Sequence, residues 1–325
     1  MSETHTSLVA AYRLDGLGRG HALERDNLSQ IWQTDPAPIW MHLDFSRGDA
    51  TNYLEDIADL HEDIIEALLE EQTRPRVGRF NGGLVTTLRG INLNPGAAPD
   101  DMISLRVWLT HNRLITLRRR PLQSITLVRN YLHDGEGPHN VSELLGAMTD
   151  AMIDKVGELG IELDDRLGKL EEDQLNDVPM ADDDELLKLR RSLVTLRRFM
   201  EPQCDCLNRL AENKTFVEET ASLWLRESAN QLQRHVEDIK AMQERALMLQ
   251  EQLNSERNER LNDRMYLLSV ITAIFLPLGF LTGLMGINLG GIPGAENHYG
   301  FTIFVAIVVA IIIAQLWLLK RKRWW

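Results

Sequence analysis

Residues 265–285 read MYLLSVITAIFLPLGFLTGLM and residues 300–319 read GFTIFVAIVVAIIIAQLWLL, and these two runs decide the fold of the chain. Neither run contains Asp, Glu, Lys or Arg. Each has about 20 residues, which at about 1.5 Å per residue is enough to cross the ~30 Å hydrocarbon core of a membrane. The sequence therefore predicts two transmembrane helices, joined by a short loop over residues 286–299.

A basic tail, KRKRWW, follows the second run at residues 320–325. Lys and Arg beside a membrane span remain on the cytoplasmic side. Because two crossings return the chain to the side it left, both termini are expected in the cytoplasm, and only the 286–299 loop faces outward. The first residues, MSETHT, are polar and predict no signal peptide.

The composition limits the partners of the chain. It has 48 Asp and Glu against 35 Lys and Arg, a net charge of −13 at pH 7, which repels nucleic acid and attracts cations. The two cysteines, Cys204 and Cys206, are too few for a disulfide framework and are expected to be reduced in the cytoplasm. Zinc in a closed site needs about four ligands. No neighbouring His or Cys completes a set around this pair, so no structural zinc site is predicted.

Long helices are predicted before the first run. Apolar residues recur three or four apart from Val141 onward, and the 176–179 segment, NDVP, interrupts the pattern. The acids at 182–185 then predict a new helix start. This second helix is expected to run to about Ala211, with a kink near Pro202. We therefore assign residues 139–214 to antiparallel long helices and 215–264 to a stalk continuous with the first transmembrane helix.

Residues 1–138 predict a compact α/β domain. Short apolar or alternating runs bounded by Gly, Pro or Asp are typical of strands, and helical patterns lie between them. The segment 16–20, GLGRG, lacks the spacing of a dinucleotide loop and is interpreted as a flexible loop. The predicted strands are 8–14, 39–43, 84–88, 103–109 and 114–118, and the predicted helices are near 52–71 and 122–134.

The turn Gly286-Ile287-Asn288 directly follows the first apolar run, and it resembles the Gly-Met-Asn turn that marks the CorA family of divalent-cation channels and transporters. The preceding FLPLGFLTG segment at 275–283, the basic tail and the order of elements along the whole chain also resemble that family. Ile in place of Met, followed by GGIPG at 290–294, is similar to the zinc-transporting ZntB branch. The Met-Pro-Glu-Leu loop usual in the magnesium branch is absent.

This resemblance implies an α/β cytoplasmic domain, long helices and a two-helix transmembrane hairpin, assembled as a homopentameric CorA-like funnel in a bacterial inner membrane. The first transmembrane helix would line a central pore, and the second would face lipid. Asn288 would present a ring of amides at the outer mouth. The implied cargo is Zn²⁺ first, with Mg²⁺, Co²⁺, Ni²⁺ and Cd²⁺ as further candidates. The expected partners are copies of the chain, lipid and divalent cations, with no nucleic acid, no cofactor and no enzymatic activity.

The residues of the first run support a pore face independently. Polar and small side chains recur at three or four residues and so share one side of the helix. In the second run only Thr302 and Gln315 hydrogen-bond strongly, and the rest suits lipid. An alternative is that the small residues only allow close helix packing. The predicted pore-lining residues are Asn262, Met265, Ser269, Thr272, Leu276, Gly279 and Gly283.

Passage of a hydrated ion is expected, because the sequence has no charged residue between Arg264 and Glu296 that could replace the ion's water. Rings of Met265 and Leu276 would form constrictions that gate by dewetting. Glu296 and His298 outside are weaker candidates for collecting cations, and ordinary solvated loop polarity explains them equally well. Asp263 at the inner end is a further weak candidate, and the neighbouring Arg264 argues against it.

Two alternative functions stay open at this stage. One is a magnesium and cobalt channel of the CorA type. The other is a membrane-anchored helical scaffold without transport, which would tolerate Asn288→Ala. The acids between positions 158 and 173 either concentrate cations or form a solvated helix face. An enzyme is not expected, because no cluster of nucleophile, base and orienting group is found.

Overall fold

The computed structural model describes residues 6–71, 74–80, 82–176, 183–286 and 298–321. The chain divides into two compact units, Met1–Leu249 and Gln250–Trp325.

A seven-stranded sheet organises the first unit, in the order β2-β1-β3-β7-β6-β5-β4. β3 and β7 pair in parallel, and every other neighbouring pair is antiparallel. The five predicted strands are confirmed. The strands are β1 (Leu8–Leu14), β2 (Gly20–Ala22), β3 (Ile39–Asp44), β4 (Arg76–Phe80), β5 (Gly83–Gly90), β6 (Ile103–Leu109) and β7 (Arg113–Arg118).

Two edge strands were not predicted from the sequence. β2 has three residues, and β4 reads RVGRF, whose arginines and glycine are poor strand signals. Short or charged strands are usual at sheet edges, where they discourage pairing with other chains. The interpretation of 16–20 as a loop was therefore wrong for Gly20, which begins β2.

Eight α-helices and one π-helical turn accompany the sheet in the described part of the chain. The helices are α1 (Arg25–Thr34), α2 (Ala50–Asn52), α3 (Glu62–Leu69), α4 (Gln123–Asp134), α5 (Val141–Leu175), α6 (Asp183–Ala211), α7 (Glu219–Met285) and α8 (Gly300–Arg321), and the π turn is Tyr53–Ile57. α1, which was not predicted, buries Leu28 and Trp32.

The helical prediction near 52–71 is confirmed, but the region is not one continuous helix. Asp59 has a φ of 52°, in the left-handed region that interrupts an α-helix. His61 then caps α3, because its Nδ1 accepts from the backbone N–H of Asp63 at 3.4 Å. The segment therefore turns between two short helical pieces.

Helices cover both faces of the sheet, as in other layered α/β domains. On one face, Leu28, Leu54 and Leu68 join Met41 and Ile115 of the sheet in one buried core. α5 and α6 pack against strands of the sheet outside that core.

A glutamine of α6 completes the hydrogen bonding of β5. Gln203 donates to the Arg89 carbonyl at 3.1 Å and accepts from the Arg89 N–H at 2.6 Å. β4 begins at Arg76, opposite Thr87, so Arg89 lies beyond the end of that neighbouring strand. The Gln203 side chain therefore makes the two hydrogen bonds that a longer β4 would have made to Arg89.

The predicted long helices are confirmed. α5 begins after Asn140, whose side chain accepts from the Glu143 N–H at 2.8 Å, while the Glu143 carboxylate accepts from the His139 N–H at 2.9 Å. The Asn140 side chain satisfies a backbone N–H of the first turn, and the Glu143 carboxylate holds the residue before the cap, which explains why the helix starts there. α6 runs through Pro202 as one helix, and α7 continues as one helix into the first apolar run.

In the second unit, the end of α7 and α8 are two helices long and apolar enough to cross a membrane, with mean hydropathies of 2.2 and 2.7. Along α7, the least exposed residues beyond position 265 recur on one side. They are Val270, Ile274, Leu278 and Leu281. On α8 the corresponding half-buried residues are Gly300, Phe304, Val308, Ile311, Ile312 and Gln315. These two sides pack the helices together.

Candidate functional site

The predicted pore face lies on the side of α7 that faces away from α8. At about 100° per residue, the mean direction of the seven predicted residues lies roughly 190° from that of the four residues packed on α8. All seven are exposed in the single chain, Met265 at 67% and Leu276 at 70%. The hairpin therefore leaves this side of α7 free for water or for another copy of the chain.

The two glycines of this face do not pack α7 against α8. A Cβ built on Gly279 or Gly283 meets no heavy atom of the described residues within 4 Å. The close-packing alternative therefore does not apply within the chain. If these glycines allow a close approach, the neighbour is another copy.

Two hydroxyls on this face are oriented by the helix itself. The hydroxyl of Ser269 donates to the Met265 carbonyl at 2.8 Å, and the hydroxyl of Thr272 donates to the Leu268 carbonyl at 2.8 Å. A hydroxyl has one proton and two lone pairs, so both oxygens keep acceptor capacity. Water bound to a cation points its hydrogens outward, and such oxygens suit that hydrated surface.

The turn that follows α7 is described only at its first residue. The Gly286 N–H donates to the carbonyls of Thr282 and Gly283 at 3.0 and 3.1 Å, so it closes the last turn of α7. Ile287, Asn288 and Glu296 lie outside the described residues, and their predicted roles stay predictions.

The other weak cation candidates show no built metal site. His298 is exposed and contacts the Tyr299 ring edge-on, with centroids 5.7 Å apart. Asp263 is exposed near the start of the apolar run. Within the described ranges, no group of three or more His, Cys, Asp or Glu is placed to hold a metal ion.

The cysteine pair is divided between two partners. Cys206 lies 3.3 Å from the Thr86 hydroxyl, and Cys204 donates to the Met200 carbonyl at 3.4 Å. Burial raises the pKa of both thiols to about 11. Because the thiolate is the metal-binding form, this environment disfavours a soft-metal pair.

Part of the acidic surface of α5 is neutralised within the chain. Arg245 of α7 donates to Asp164 at 2.6 Å and to both carboxylate oxygens of Glu171 at 2.6 and 3.0 Å. Hydrogen bonding to Glu171, assisted by Asp164, raises the pKa of Arg245. Lys155 pairs with Glu158 at 2.6 Å. These acids join α5 to α7 or pair along α5, so they concentrate cations less than their number suggests.

One polar contact inside the hairpin was missed by sequence reasoning. Gln315 of α8 faces α7 rather than lipid, and its amide nitrogen lies 3.4 Å from the Ala273 carbonyl. The available signal was Pro277, four residues after Ala273, because proline lacks the N–H that this carbonyl would otherwise accept.

The chain is similar to known proteins along most of its length. The profile of the family described as "CorA-like Mg2+ transporter protein" matches residues 36–321. The chain is 38% identical over 321 residues to the "Divalent cation transporter CmaX" of Pseudomonas aeruginosa, covering 98% of this chain and 96% of that protein. It is 35% identical over 317 residues to the "Zinc transport protein ZntB" of Yersinia pseudotuberculosis, covering 97% and 95%. The solved structure of full-length CmaX matches with a TM-score of 0.85 at 37% identity, covering 100% of both chains.

Proposed function

The chain belongs to the CorA family of divalent-cation transporters, and from that membership we propose that it carries zinc across a bacterial inner membrane through the central pore of a homopentamer. Zinc is supported by the similarity to a protein named as a zinc transporter and by the Gly286-Ile287-Asn288 turn. The name of CmaX specifies only a divalent cation.

The pore assignment rests on the side of α7 that faces away from α8. In the proposed assembly, five copies of α7 surround one axis and turn this side inward, while α8 lies outside them. A helix side that combines hydroxyls, glycines and exposed apolar residues, and that faces away from its partner helix, fits a water-filled path better than lipid.

The proposed path carries the ion with its water. Zn²⁺ loses its hydration shell only where other ligands replace it, and no Asp, Glu, Lys or Arg lies between Arg264 and Glu296. The oxygens of Ser269 and Thr272 accept from the outer water molecules instead. At the proposed outer mouth, Asn288 carbonyl oxygens accept from the same shell.

Constrictions within this path are assigned to apolar rings. Met265 and Leu276 are the two large apolar residues among the seven assigned to the proposed pore side, and both are exposed in the single chain. A narrow apolar ring expels water, and a hydrated ion cannot pass a dry segment. Small changes in the spacing of five helices therefore suffice to open or close the path.

Zinc transport is tested with purified full-length protein in liposomes that contain a zinc-sensitive dye. We expect zinc entry into liposomes with the native protein, loss of entry with Asn288→Ala, and normal entry with Thr302→Val, an exposed position on α8 that serves as control. An imposed proton gradient tests whether zinc entry is coupled to protons.

The other outcomes separate the alternatives. Entry of magnesium or cobalt without zinc would assign the chain to the CorA-type magnesium channels, in line with the family description. No entry of any of these ions would contradict the transport proposal and favour an anchored scaffold.

A further inference from the structure

Pro277 creates a demand for a hydrogen-bond donor inside the hairpin. It lies within α7, in the part that is apolar enough to cross a membrane. In a regular α-helix, the N–H of residue 277 would donate to the carbonyl of Ala273, and proline has no N–H. Where α7 packs against α8 rather than facing the proposed water-filled path, no water takes its place. The Ala273 carbonyl therefore needs a donor from elsewhere.

Gln315 of α8 supplies that donor. Its side chain lies on the half-buried side of α8, and its amide nitrogen is 3.4 Å from the Ala273 carbonyl oxygen. A carbonyl only accepts, so the NH₂ end of the amide must point toward α7. The amide oxygen of Gln315 is buried and has no partner among the described residues. This orientation, which leaves the oxygen unpaired, indicates that the contact with Ala273 determines how the side chain is placed.

The contact lies directly beside the proposed pore side. Ala273 follows Thr272 and precedes Leu276 by one turn, and these two residues are assigned to the acceptor surface and to a constriction. A proline lets a helix bend, because it removes a hydrogen bond and crowds the preceding turn. The geometry of α7 at Pro277 therefore sets where this part of the proposed pore side lies.

We propose that Gln315 is a positioning residue of the proposed transport path: it donates to the carbonyl that Pro277 releases and so fixes the course of α7 at this point, which places Thr272 and Leu276. This proposal rests on the proposed function, since it assigns those two residues to the pore. Gln315 itself touches no ion in this scheme. Its effect passes through the α7 backbone.

A purely structural role makes a different prediction. If Gln315 only satisfies its own polar group in an apolar environment, replacing it has the same effect whatever residue stands at position 277. If it serves the Ala273 carbonyl, its effect must disappear once position 277 regains an N–H. The pair Gln315→Leu and Pro277→Ala therefore forms a double-mutant cycle that separates the two roles.

The cycle is measured as ion entry into liposomes with the assembled full-length protein. The ion is whichever of zinc, magnesium or cobalt the native chain carries, so a wrong metal assignment does not affect the result. We expect Gln315→Leu to reduce entry about threefold, the factor that corresponds to an average hydrogen bond between membrane helices. In the Pro277→Ala background the same substitution should leave entry unchanged. Thr302→Val, the matched polar-to-apolar change on α8, should leave entry unchanged in both backgrounds.

The melting temperature of the assembled protein provides a second cycle that does not depend on transport. We expect Gln315→Leu to lower it by about 2 °C with Pro277 present and not at all with Ala at that position. Equal effects of Gln315→Leu in both backgrounds, or no effect in either, would overturn the proposal. Coupling of the two substitutions in melting temperature, with no ion entry by the native chain, would support the contact between Gln315 and Ala273. That result would refute the positioning role together with the proposed function.

Discussion

Cysteine substitution along α7 tests the pore side residue by residue, and the chain provides a nearly silent background. Its two native cysteines are 5% and 3% exposed, and burial raises the pKa of both thiols to about 11. A cysteine in contact with water has a pKa of about 8.5. Only the thiolate reacts with a thiosulfonate reagent. Introduced thiols that face water should therefore dominate the reaction.

The size of the contrast follows from these pKa values. At pH 7.5 a thiol of pKa 8.5 is about 10% thiolate, whereas one of pKa 11 is about 0.03% thiolate. The thiolate fractions therefore differ about 300-fold. Because a more basic thiolate is also a stronger nucleophile, the pKa difference alone makes an introduced water-facing cysteine about 20 times more reactive than either native thiol, and burial of the native side chains adds to this factor. Removal of Cys204 and Cys206 is therefore unnecessary, which avoids cavities in the core.

The assay uses full-length protein in liposomes, a positively charged thiosulfonate reagent and mass spectrometry of the modified chain. Reactivity should rise and fall with the helical period, and modification on the pore side should block ion entry. The positions expected to react are Ser269→Cys, Thr272→Cys and Leu276→Cys, and the matched positions expected to remain unmodified on the α8 side are Val270→Cys, Ile274→Cys and Leu278→Cys.

The opposite pattern would refute the assignment. Faster modification of the Val270, Ile274 and Leu278 variants would place water on the α8 side of the helix. Equal modification of both sets would indicate that α7 lies at a broad aqueous surface. Modification of Leu276→Cys without any loss of ion entry would remove that residue from the path.

Three further predictions concern the first unit, each measured as chemical or thermal unfolding of the full-length protein in detergent. His42 is fully buried, and burial, with Arg118 and Arg129 nearby, lowers its pKa to about 3. The unfolded state therefore binds a proton that the folded state excludes. The free energy of unfolding should fall by about 2 kcal/mol between pH 6 and 4.5. The same loss of unfolding free energy over this pH range in His42→Gln would contradict this. Gly160→Ala should stabilise α5 by about 0.5–1 kcal/mol. The nearby Gly157→Ala should lack this gain, because its Cβ would lie 2.9 Å from the His235 ring. Equal gains in stability from both variants would contradict the predicted clash. Arg113 is 8% exposed and donates to four backbone carbonyls. Arg113→Lys should therefore lower the free energy of unfolding by about 2 kcal/mol or more. An unchanged unfolding midpoint would show that the guanidinium hydrogen bonds are not needed for stability.

The sequence predicts best the elements whose residues repeat with one period over a long stretch. α5, α6 and α7 follow from apolar spacing, and the central strands follow from short apolar runs. The misses share a physical cause, because local patterns do not encode tertiary demands. β4 forms because it can pair with the free edge of β5. The turn at Asp59 depends on a φ of 52°, which Asp tolerates but which the presence of Asp alone does not predict.

The shared helical period of the seven residues assigned to the proposed pore side was readable from the sequence for a similar reason, while the Gln315 contact was not predicted although the sequence contains enough to find it. Pro277 releases the Ala273 carbonyl, which lies 12 residues before the end of α7 at Met285, about 18 Å from that end at ~1.5 Å per residue. Gln315 lies 15 residues after the start of α8 at Gly300, about 22 Å from that start, whereas Thr302 lies about 3 Å from it. Depth alone therefore selects Gln315 from the two strongly hydrogen-bonding side chains of the second run. Counting the backbone groups that a proline leaves unpaired, and matching each by depth to a donor on the neighbouring span, predicts contacts that periodicity cannot.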